Sequence, residues 1–216
     1  MLDIKKTTPP DFLLEFIEEK SNASYKNMRG DMRKDLRHYI AYNEQCKSSR
    51  CFCAYCEREI VVNSDNANGS HIEHIKPQSR FPEDDLDYDN MIVSCNAKES
   101  CGIRKGSHYF EGFIDPVNFS PDVFFVYDLM TGEIIPKEGI KDSNTPAYKS
   151  LDLLGLNSVR LTDARKRVIV EIDNLLKFMK KEDIRHFLKQ FPSYWIICLN
   201  RWKKEKNGWF KLQGRR

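Results

Sequence analysis

Between residues 53 and 108 the sequence concentrates cysteine, histidine and carboxylate side chains, which can bind metals or move protons. Two cysteine pairs flank this stretch, Cys53-x2-Cys56 and Cys95-x5-Cys101. Four thiolates at paired spacing bind one Zn²⁺ tetrahedrally and leave no coordination position for water. The sequence therefore predicts a structural zinc site made of these four cysteines.

The remaining cysteines bear on that prediction. The chain has seven cysteines, an odd number, and begins without an apolar secretion signal. Disulfide frameworks belong to oxidising compartments, so this pattern favours metal ligation, with buried free thiols as the alternative. Cys51 can replace Cys53 as a ligand, although its x4 spacing to Cys56 is the poorer match. Cys46 and Cys198 are expected to be ordinary buried or semi-exposed cysteines.

The stretch between the cysteine pairs carries His71-Ile-Glu73-His74 and, further on, Asn90. A carboxylate is a suitable ligand for Mg²⁺, and a neutral imidazole accepts a proton from water near physiological pH. In an extended strand residues 71 and 73 share one face, and a twist towards Pro77 can bring Glu73 and His74 to one pocket. Taken alone, these histidines are better explained as surface residues bordering a loop. The adjacent zinc ligands and Asn90 favour a hydrolytic site.

The sequence pattern places these residues on short elements. Alternating β-branched residues predict a strand over 71–75 that ends at Lys76, before Pro77. Residues 91–93 predict a second strand, and residues 96–106 a short helix. Strand, loop, strand and helix, with zinc ligands at the ends, form a ββα arrangement.

Helices are predicted before this unit. Apolar spacing predicts a short helix after Pro9-Pro10 and a second helix from Asn27 to about Gln45. Lys34, Arg37 and His38 are expected on a solvated face of the second helix, and phosphate contact is the less favoured alternative.

The C-terminal half is predicted to contain a hairpin and several helices. The hairpin joins residues 123–127 and 133–135 through Met130-Thr-Gly132. Helices are predicted over residues 145–154, 161–180, 183–190 and 193–206.

Composition sets the protein class. The 216 residues are 40% hydrophobic and 31% charged, as in soluble globular proteins. No apolar run reaches membrane-spanning length, and a cytoplasmic location is expected. Net charge is +3, but residues 201–216 alone hold seven Lys or Arg and one Glu. A core helix over 193–206 with a solvated tail is favoured, while nucleic-acid binding with Trp209 stacking, or partner docking, remain alternatives.

The order of these residues resembles the HNH endonuclease motif of the ββα-metal superfamily, which is matched by Cys53-x2-Cys56, Glu73-His74-Ile-x-Pro77, Asn90, Cys95 and Cys101-x3-Lys105-Gly106. Residues 30–180 are also similar to the PtuB-type nucleases of Septu and retron-associated anti-phage systems. The residues that carry this similarity are Cys-Ala-Tyr-Cys-Glu57, Ile72-Glu-His74 and Leu154-Gly-Leu-Asn157, the last of which precedes a predicted helix with Arg165.

The resemblance implies a role for each matching residue. His74 is expected to be the general base that activates water, and Glu73 to hold a divalent metal, Mg²⁺, at the scissile phosphate. Asn90 is expected to hydrogen-bond within the site and orient the His74 ring, which leaves one ring nitrogen free to accept a proton. Lys105 is expected to contact a phosphate.

One position departs from the family pattern. The residue after the last cysteine is often His or Asn and serves as the second metal ligand, but here it is Gly102. His71 is the expected substitute because it shares a strand face with Glu73. His108 is the second choice, and Asn96 or additional waters remain open.

Together these inferences predict an α+β fold, with a zinc-stapled ββα-metal core, flanking helices and a C-terminal helical part. The expected divisions are residues 1–50 (helices), 51–115 (nuclease core) and 116–216 (hairpin and helices, basic tail 201–216). The expected function is an HNH endonuclease acting on DNA, or on an RNA such as tRNA, in anti-phage defence. The resemblance implies a PtuA-type ATPase, and also a retron reverse transcriptase with its msDNA, as partners. A non-catalytic zinc module that binds nucleic acid or protein is the alternative.

Overall fold

The computed structural model describes residues 1–47, 49–66, 68–137 and 143–178. The helices predicted over 183–190 and 193–206, the tail 201–216 and Cys198 lie outside these residues. Helices and small sheets are mixed along the chain, as the α+β prediction requires. No helix among the described residues is long and apolar enough to cross a membrane.

The described helices and strands follow the predicted order closely. The helices are α1 (Asp11–Glu19), α2 (Gly30–Ile40), α3 (Cys101–Lys105), α4 (Pro121–Phe124), α5 (Pro146–Leu153) and α6 (Val159–Phe178). The strands are β1 (Cys46–Lys47), β2 (Arg50–Phe52), β3 (Glu59–Ile60), β4 (Ser70–His74), β5 (Met91–Cys95), β6 (Phe125–Tyr127) and β7 (Ile134–Pro136). Short 3₁₀ turns occupy Tyr25–Asn27, Pro82–Asp84 and Tyr88–Asn90.

The strands form three small antiparallel sheets, β1-β2-β3, β4-β5 and β6-β7. In the central pair, His71 lies opposite Ser94 and Glu73 lies opposite Ile92. All five residues of β5 are buried, and α3 packs against this strand. The predicted ββα arrangement of β4, β5 and α3 is confirmed.

Helix α2 contacts the central pair through a buried charge. Arg37 was expected on a solvated face, but it is buried and its guanidinium donates a hydrogen bond to the backbone carbonyl of Ser70. That expectation was wrong because α2 lies against β4, so this side of the helix meets a strand carbonyl instead of water. Lys34 and His38 are exposed as predicted, and the His38 ring stacks on Tyr42 with centroids 4.0 Å apart.

A π-helical turn, Ala41–Gln45, continues α2 and ends in a buried amide. The Gln45 Nε2 donates to the carbonyls of Phe52 at 2.8 Å and Val93 at 2.9 Å, and its Oε1 accepts from the Val93 amide at 2.8 Å. Because these bonds satisfy the buried amide, one side chain fastens β2 to β5.

Cys46 and Cys51 form a disulfide across β1 and β2, with Cα atoms 3.9 Å apart. Cys46, which was expected to be an ordinary cysteine, is therefore disulfide-bonded, and the expectation was wrong. The cause is the register of the β1–β2 hairpin, which sets the two residues directly opposite one another. The pairing also removes Cys51 as an alternative zinc ligand.

The segment Leu154–Asn157 joins the C-terminal elements to the core. The Leu154 carbonyl accepts from the Cys101 amide at 2.7 Å, and the Asn157 side chain bonds both backbone groups of Ile134. Arg165 on α6 is buried and donates to the Leu156 carbonyl at 2.7 Å. One continuous hydrophobic cluster includes residues from all three predicted divisions, and the domain boundaries remain a prediction.

Candidate active site and metal centre

The four predicted zinc ligands come together in the interior. Cys53, Cys56, Cys95 and Cys101 are all buried, and their sulfur atoms lie within 4.8 Å of one another. The Cys56 and Cys95 sulfurs are 3.9 Å apart. Zn–S bonds of about 2.3 Å in a tetrahedron separate sulfurs by roughly 3.8 Å. The cluster therefore fits one zinc ion with four protein ligands.

Backbone geometry aims these thiols at one point. Cys53 and Cys56 sit in a tight turn in which the Glu57 amide donates to the Cys53 carbonyl at 3.0 Å, and Glu57 adopts a φ of 60°. The Cys95 amide lies 3.3 Å from the Cys53 sulfur and can donate to it. Cys101 also has a φ of 60°, a costly backbone state for a residue with a Cβ. Such turns and N–H···S contacts are suited to holding thiolates at a metal.

The four thiols also influence each other's ionisation. Burial acts to raise the pKa of Cys53, but hydrogen bonds from the Cys101, Cys56 and Cys95 thiols hold it well below its usual range. Burial and the neighbouring sulfurs raise the pKa of Cys101. A cluster that already favours one thiolate is prepared to exchange its remaining protons for a cation.

The second group of site residues projects from β4 towards the start of α3. His71 Nε2 and Glu73 Oε2 lie 3.5 Å apart on the same strand face. A Cβ added at Gly102 would meet Glu73 Oε2 at 2.5 Å and His71 Nε2 at 2.7 Å. Gly102, where the family pattern often places a metal ligand, therefore lies directly against the His71–Glu73 pair. This close contact leaves no room for a side chain at position 102.

Asn96 sets the tautomer of His71. The Asn96 Nδ2 points to the carbonyls of Ser64 at 3.4 Å and Asn66 at 3.2 Å, so its Oδ1 must face the ring. This Oδ1 is 2.9 Å from His71 Nδ1, which therefore carries the proton. Burial opposes protonation of the ring, but hydrogen bonds to Glu73 and Asn96 raise the pKa of His71. The site between Nε2 and the carboxylate is thus built for a proton or a metal ion.

Lys105 lies beneath the Glu73 carboxylate. Its side chain is 1% exposed, and Nζ lies 2.7 Å from Glu73 Oε1. The two groups form an ion pair, although their geometry does not meet the criteria for a hydrogen bond. Nζ also donates to the His74 carbonyl at 3.0 Å. This position corrects the expected phosphate contact, because the Lys105 charge is buried and engaged by Glu73. The lysine instead holds Oε1, so that Oε2 faces His71.

His74 is held as a neutral base. Its Nε2 lies 2.9 Å from the Asp85 carbonyl, which can only accept, so Nε2 carries the proton and Nδ1 has the free lone pair. The Gln78 amide nitrogen is 3.0 Å from Nδ1, and the Tyr25 ring packs on the imidazole at 4.8 Å and 79°. Burial lowers the pKa of His74, which keeps the ring unprotonated near neutral pH.

Asn90 hydrogen-bonds to the backbone of the loop next to the His74 imidazole. Its Nδ2 donates to the carbonyls of Lys76 and Asp84, both at 3.0 Å, and its Oδ1 accepts from the Lys76 amide at 2.7 Å. Within the described part of the chain no hydrogen bond of Asn90 reaches the His74 ring, so any orienting effect of Asn90 on the ring is indirect. Asn90 fixes the loop that presents the Asp85 carbonyl, and this carbonyl orients the ring.

His108 takes a different place from His71. It is exposed at the end of α3, with Nδ1 3.1 Å from the Lys105 carbonyl. Among the described residues, the cationic or imidazole nitrogens within ion-pair distance of Glu73 belong to His71 and Lys105. The geometry therefore favours His71 over His108 as the partner of Glu73.

Sequence reasoning did not find Tyr25, Gln78 or Asp85. Asp85 contacts His74 through its backbone carbonyl, so its residue type carries no signal. Tyr25 precedes α2 and reaches His74 only through the tertiary fold. Gln78 directly follows Pro77, and this closeness to the His74 strand is the one local signal available.

Comparisons with known proteins agree with this geometry. Residues 53–105 match the model of the HNH endonuclease family. The chain is similar to the predicted HNH endonuclease of retron Ec83 from Escherichia coli, with 24% identity over 233 residues covering 88% of each chain. It is also similar to the predicted HNH endonuclease of retron Vc95 from Vibrio cholerae serotype O1 biovar El Tor, with 33% identity over 137 residues, which cover 59% of this chain and 62% of that protein. Residues 53–105, which hold the four cysteines and the β4–β5–α3 site, are therefore similar to the HNH endonuclease family.

Proposed function

We propose that this protein is a metal-dependent HNH endonuclease that hydrolyses phosphodiester bonds of nucleic acid. One observation carries the proposal: a His71–Glu73 pair open to a cation lies beside a neutral, buried His74 whose Nδ1 lone pair can accept a proton. A module that only binds nucleic acid has no need of a base next to a metal-binding carboxylate.

Glu73 and His71 are the residues that would hold the divalent ion. Glu73 offers the buried Oε2, His71 offers Nε2, and Lys105 keeps the carboxylate turned towards His71. When bound, the ion stabilises negative charge on the phosphate and on the leaving 3′ oxygen. We propose Mg²⁺, and because an imidazole nitrogen also suits softer divalent ions, Mn²⁺ belongs in the same assay.

His74 would take the proton of the attacking water at Nδ1. The Asp85 carbonyl holds the Nε2 proton, so the ring cannot turn its wrong nitrogen towards the water. The Gln78 amide nitrogen lies 3.0 Å from Nδ1 and 3.1 Å from Nε2 of His74. Because Nε2 carries the ring proton, Nδ1 is the atom that can accept from Gln78, and this side chain must move before a water can occupy that position. Tyr25 packs against the ring and limits its rotation.

The wider role we propose is that of an effector in an anti-phage defence complex in the cytoplasm. The two relatives named as retron proteins and the PtuB-type resemblance support this proposal. Proposed partners are a PtuA-type ATPase and a retron reverse transcriptase with its msDNA. A free nuclease would be toxic, so we expect the isolated chain to have low activity, and strong unregulated cleavage would count against the defence role.

The test is cleavage of DNA and RNA by the purified chain with Mg²⁺ or Mn²⁺, alone and with candidate partners encoded by neighbouring genes. His74→Ala should lower cleavage by roughly 10²- to 10⁴-fold, because it removes the general base. His38→Ala is the matched control, since it removes an exposed histidine of α2. Equal cleavage by His74→Ala would reject the mechanism, and absence of metal-dependent cleavage under all conditions would favour the non-catalytic zinc module.

A further inference from the structure

A cleft of about 560 Å³ lies between the turn after β4, the segment after α3 and helix α5. Its lining includes two aromatic side chains, Tyr109 and Phe110, and three basic ones, Arg80, His108 and Lys149. The volume is within the range of small-ligand sites in proteins. The combination of aromatic surface and positive charge is the one that proteins use to bind unstacked nucleotides.

The cleft is attached directly to the elements of the nuclease site. His108 follows Lys105 by three residues, a chain span of at most about 11 Å, and its amide donates to the Lys105 carbonyl. Arg80 belongs to the turn that follows β4, where its amide donates to the Pro77 carbonyl at 2.9 Å. The two segments that leave the His–Glu site therefore form two walls of the cleft.

The aromatic residues are anchored but only half-buried. Tyr109 packs edge-to-face on Phe81 at 5.2 Å and on Phe113 at 6.1 Å, and Phe110 packs on Phe113 at 5.8 Å. Phe113 is fully buried in the core, whereas Tyr109 and Phe110 retain accessible surface in the cleft. Their fixed placement lowers the entropy cost of stacking a base against them.

The charge of the cleft is positive. Arg80 Nη1 donates to the Tyr109 carbonyl at 2.7 Å, which holds the guanidinium in place while its other N–H groups remain available. Lys149 and His108 are exposed at the same cleft. Asp152 is the acidic residue of the lining, and its carboxylate faces the Arg104 guanidinium at 3.9 Å.

We propose that this cleft binds an unstacked nucleotide of the substrate, next to the phosphodiester that is cleaved. The base stacks on Tyr109 and Phe110, and Arg80 and Lys149 pair with flanking phosphates. This inference rests on the proposed nuclease function and adds a substrate class to it. Bases inside a continuous duplex do not expose their faces, so the substrate must offer an unpaired nucleotide, as in a single strand or a loop.

Binding measured with a cleavage-silent full-length chain tests the proposal. His74→Ala protein is titrated with a short single strand that carries one 2-aminopurine, and with the same strand in a perfect duplex, each as DNA and as RNA. We expect the single strand to bind more tightly, with quenching of 2-aminopurine fluorescence on stacking. Adding Tyr109→Leu should weaken single-strand binding by roughly 5- to 30-fold and remove the quenching, with duplex binding unchanged.

Matched variants separate stacking from general effects. Tyr42→Leu removes an exposed ring on another face and should leave binding unchanged, as should Lys5→Gln on an exposed lysine. Arg80→Gln and Lys149→Gln should weaken binding and reduce its salt dependence. Should Tyr109→Leu fail to fold, these two variants and the quenching in the parent protein still decide the question.

The cleft proposal is overturned if duplex and single strand bind with equal affinity. It is also overturned if single-strand binding and quenching survive Tyr109→Leu, or if Arg80→Gln and Lys149→Gln leave single-strand affinity unchanged. Failure of the nuclease proposal is distinguishable, because it appears as His74-independent cleavage or as no cleavage. The DNA and RNA arms tell which sugar the cleft accepts, since the stacking chemistry is shared.

Discussion

The two candidate metal sites of this chain share the β4–β5–α3 unit but differ in what each protein shell provides. The cysteine site offers four buried sulfurs, mutually within 4.8 Å, which complete a tetrahedron. The second site offers one carboxylate oxygen and one imidazole nitrogen, and the His71 side chain is 26% exposed. A closed shell can only support structure, whereas a shell with two protein donors leaves room for water and phosphate.

The two sites are nevertheless mechanically connected. Ser94 Oγ lies 3.7 Å from the Cys53 sulfur and accepts from the Gly102 amide at 3.1 Å. Gly102 in turn packs against Glu73 and His71. The zinc-holding cysteines therefore set the position of α3, and through it the shape of the second site. We expect damage to the first site to destroy both, and damage to the second to spare the first.

The largest expected effect comes from removing a zinc ligand. Cys95→Ser should abolish zinc binding and fold stability together, because structural zinc contributes on the order of 10 kcal/mol to folding in small zinc domains. Metal analysis should find about one zinc per parent chain, and none in the variant, with a large fall in melting temperature. Cys46→Ser is the control for zinc content, since Cys46 lies outside the cluster, and its melting temperature is not compared because it also loses the Cys46–Cys51 disulfide. A Cys95→Ser chain that keeps its zinc and its melting temperature would contradict the closed site.

A smaller but still large effect is expected at Lys105. Lys105→Met leaves the buried Glu73 charge without its partner, which should cost about 3–5 kcal/mol of unfolding free energy. The double variant Lys105→Met with Glu73→Gln should recover much of that loss, because no unpaired charge remains. Urea unfolding measures both. If the loss caused by Lys105→Met and the loss caused by Glu73→Gln alone simply add in the double variant, the ion pair does not couple these residues.

The next effect concerns metal affinity at the second site. His71→Ala should weaken Mn²⁺ binding by roughly 10- to 100-fold without changing zinc content. Gly102→Asn alone should also weaken it, because the new Cβ would collide with Glu73 and His71. Combining Gly102→Asn with His71→Ala removes the imidazole from that space, so that only the end of the flexible Glu73 side chain has to shift. The double variant also supplies the ligand that the family pattern often has there, so affinity should partly return. Calorimetric titration that finds the double variant weaker than either single variant would reject His71 as the substitute ligand.

The smallest effect is expected from the residue that orients His71. Asn96→Leu removes the acceptor for Nδ1–H while keeping similar volume, and should weaken Mn²⁺ binding by about 10-fold or less. Asn118→Leu is a control amide outside the site. An unchanged Mn²⁺ affinity would show that the ring holds its tautomer without Asn96.

The sequence predicted those features of the fold that depend on local patterns. The knuckle at Cys53 and Cys56, the strand over β4 and the helix after Cys95 follow from spacing and periodicity over a few residues. The pairing of His71 with Glu73 follows in the same way, because alternate residues of a strand share a face.

The features that sequence reasoning missed depend on contacts between distant segments. Arg37 and Lys105 read as solvated or phosphate-binding cations, but each finds a buried acceptor on β4 that periodicity cannot reveal. The Cys46–Cys51 pairing depends on the register of a hairpin whose strands are only two and three residues long. Asp85 orients His74 through its backbone, so no side-chain pattern encodes this contact.

Anomalous diffraction from crystals grown with Mn²⁺, recorded at the zinc and manganese edges, tests the separation of the two sites most directly. We expect zinc among Cys53, Cys56, Cys95 and Cys101, and manganese between His71 Nε2 and Glu73 Oε2, with further positions filled by water. Zinc with four protein ligands at the His71–Glu73 position, or manganese bound elsewhere with this pair unliganded, would contradict this expectation.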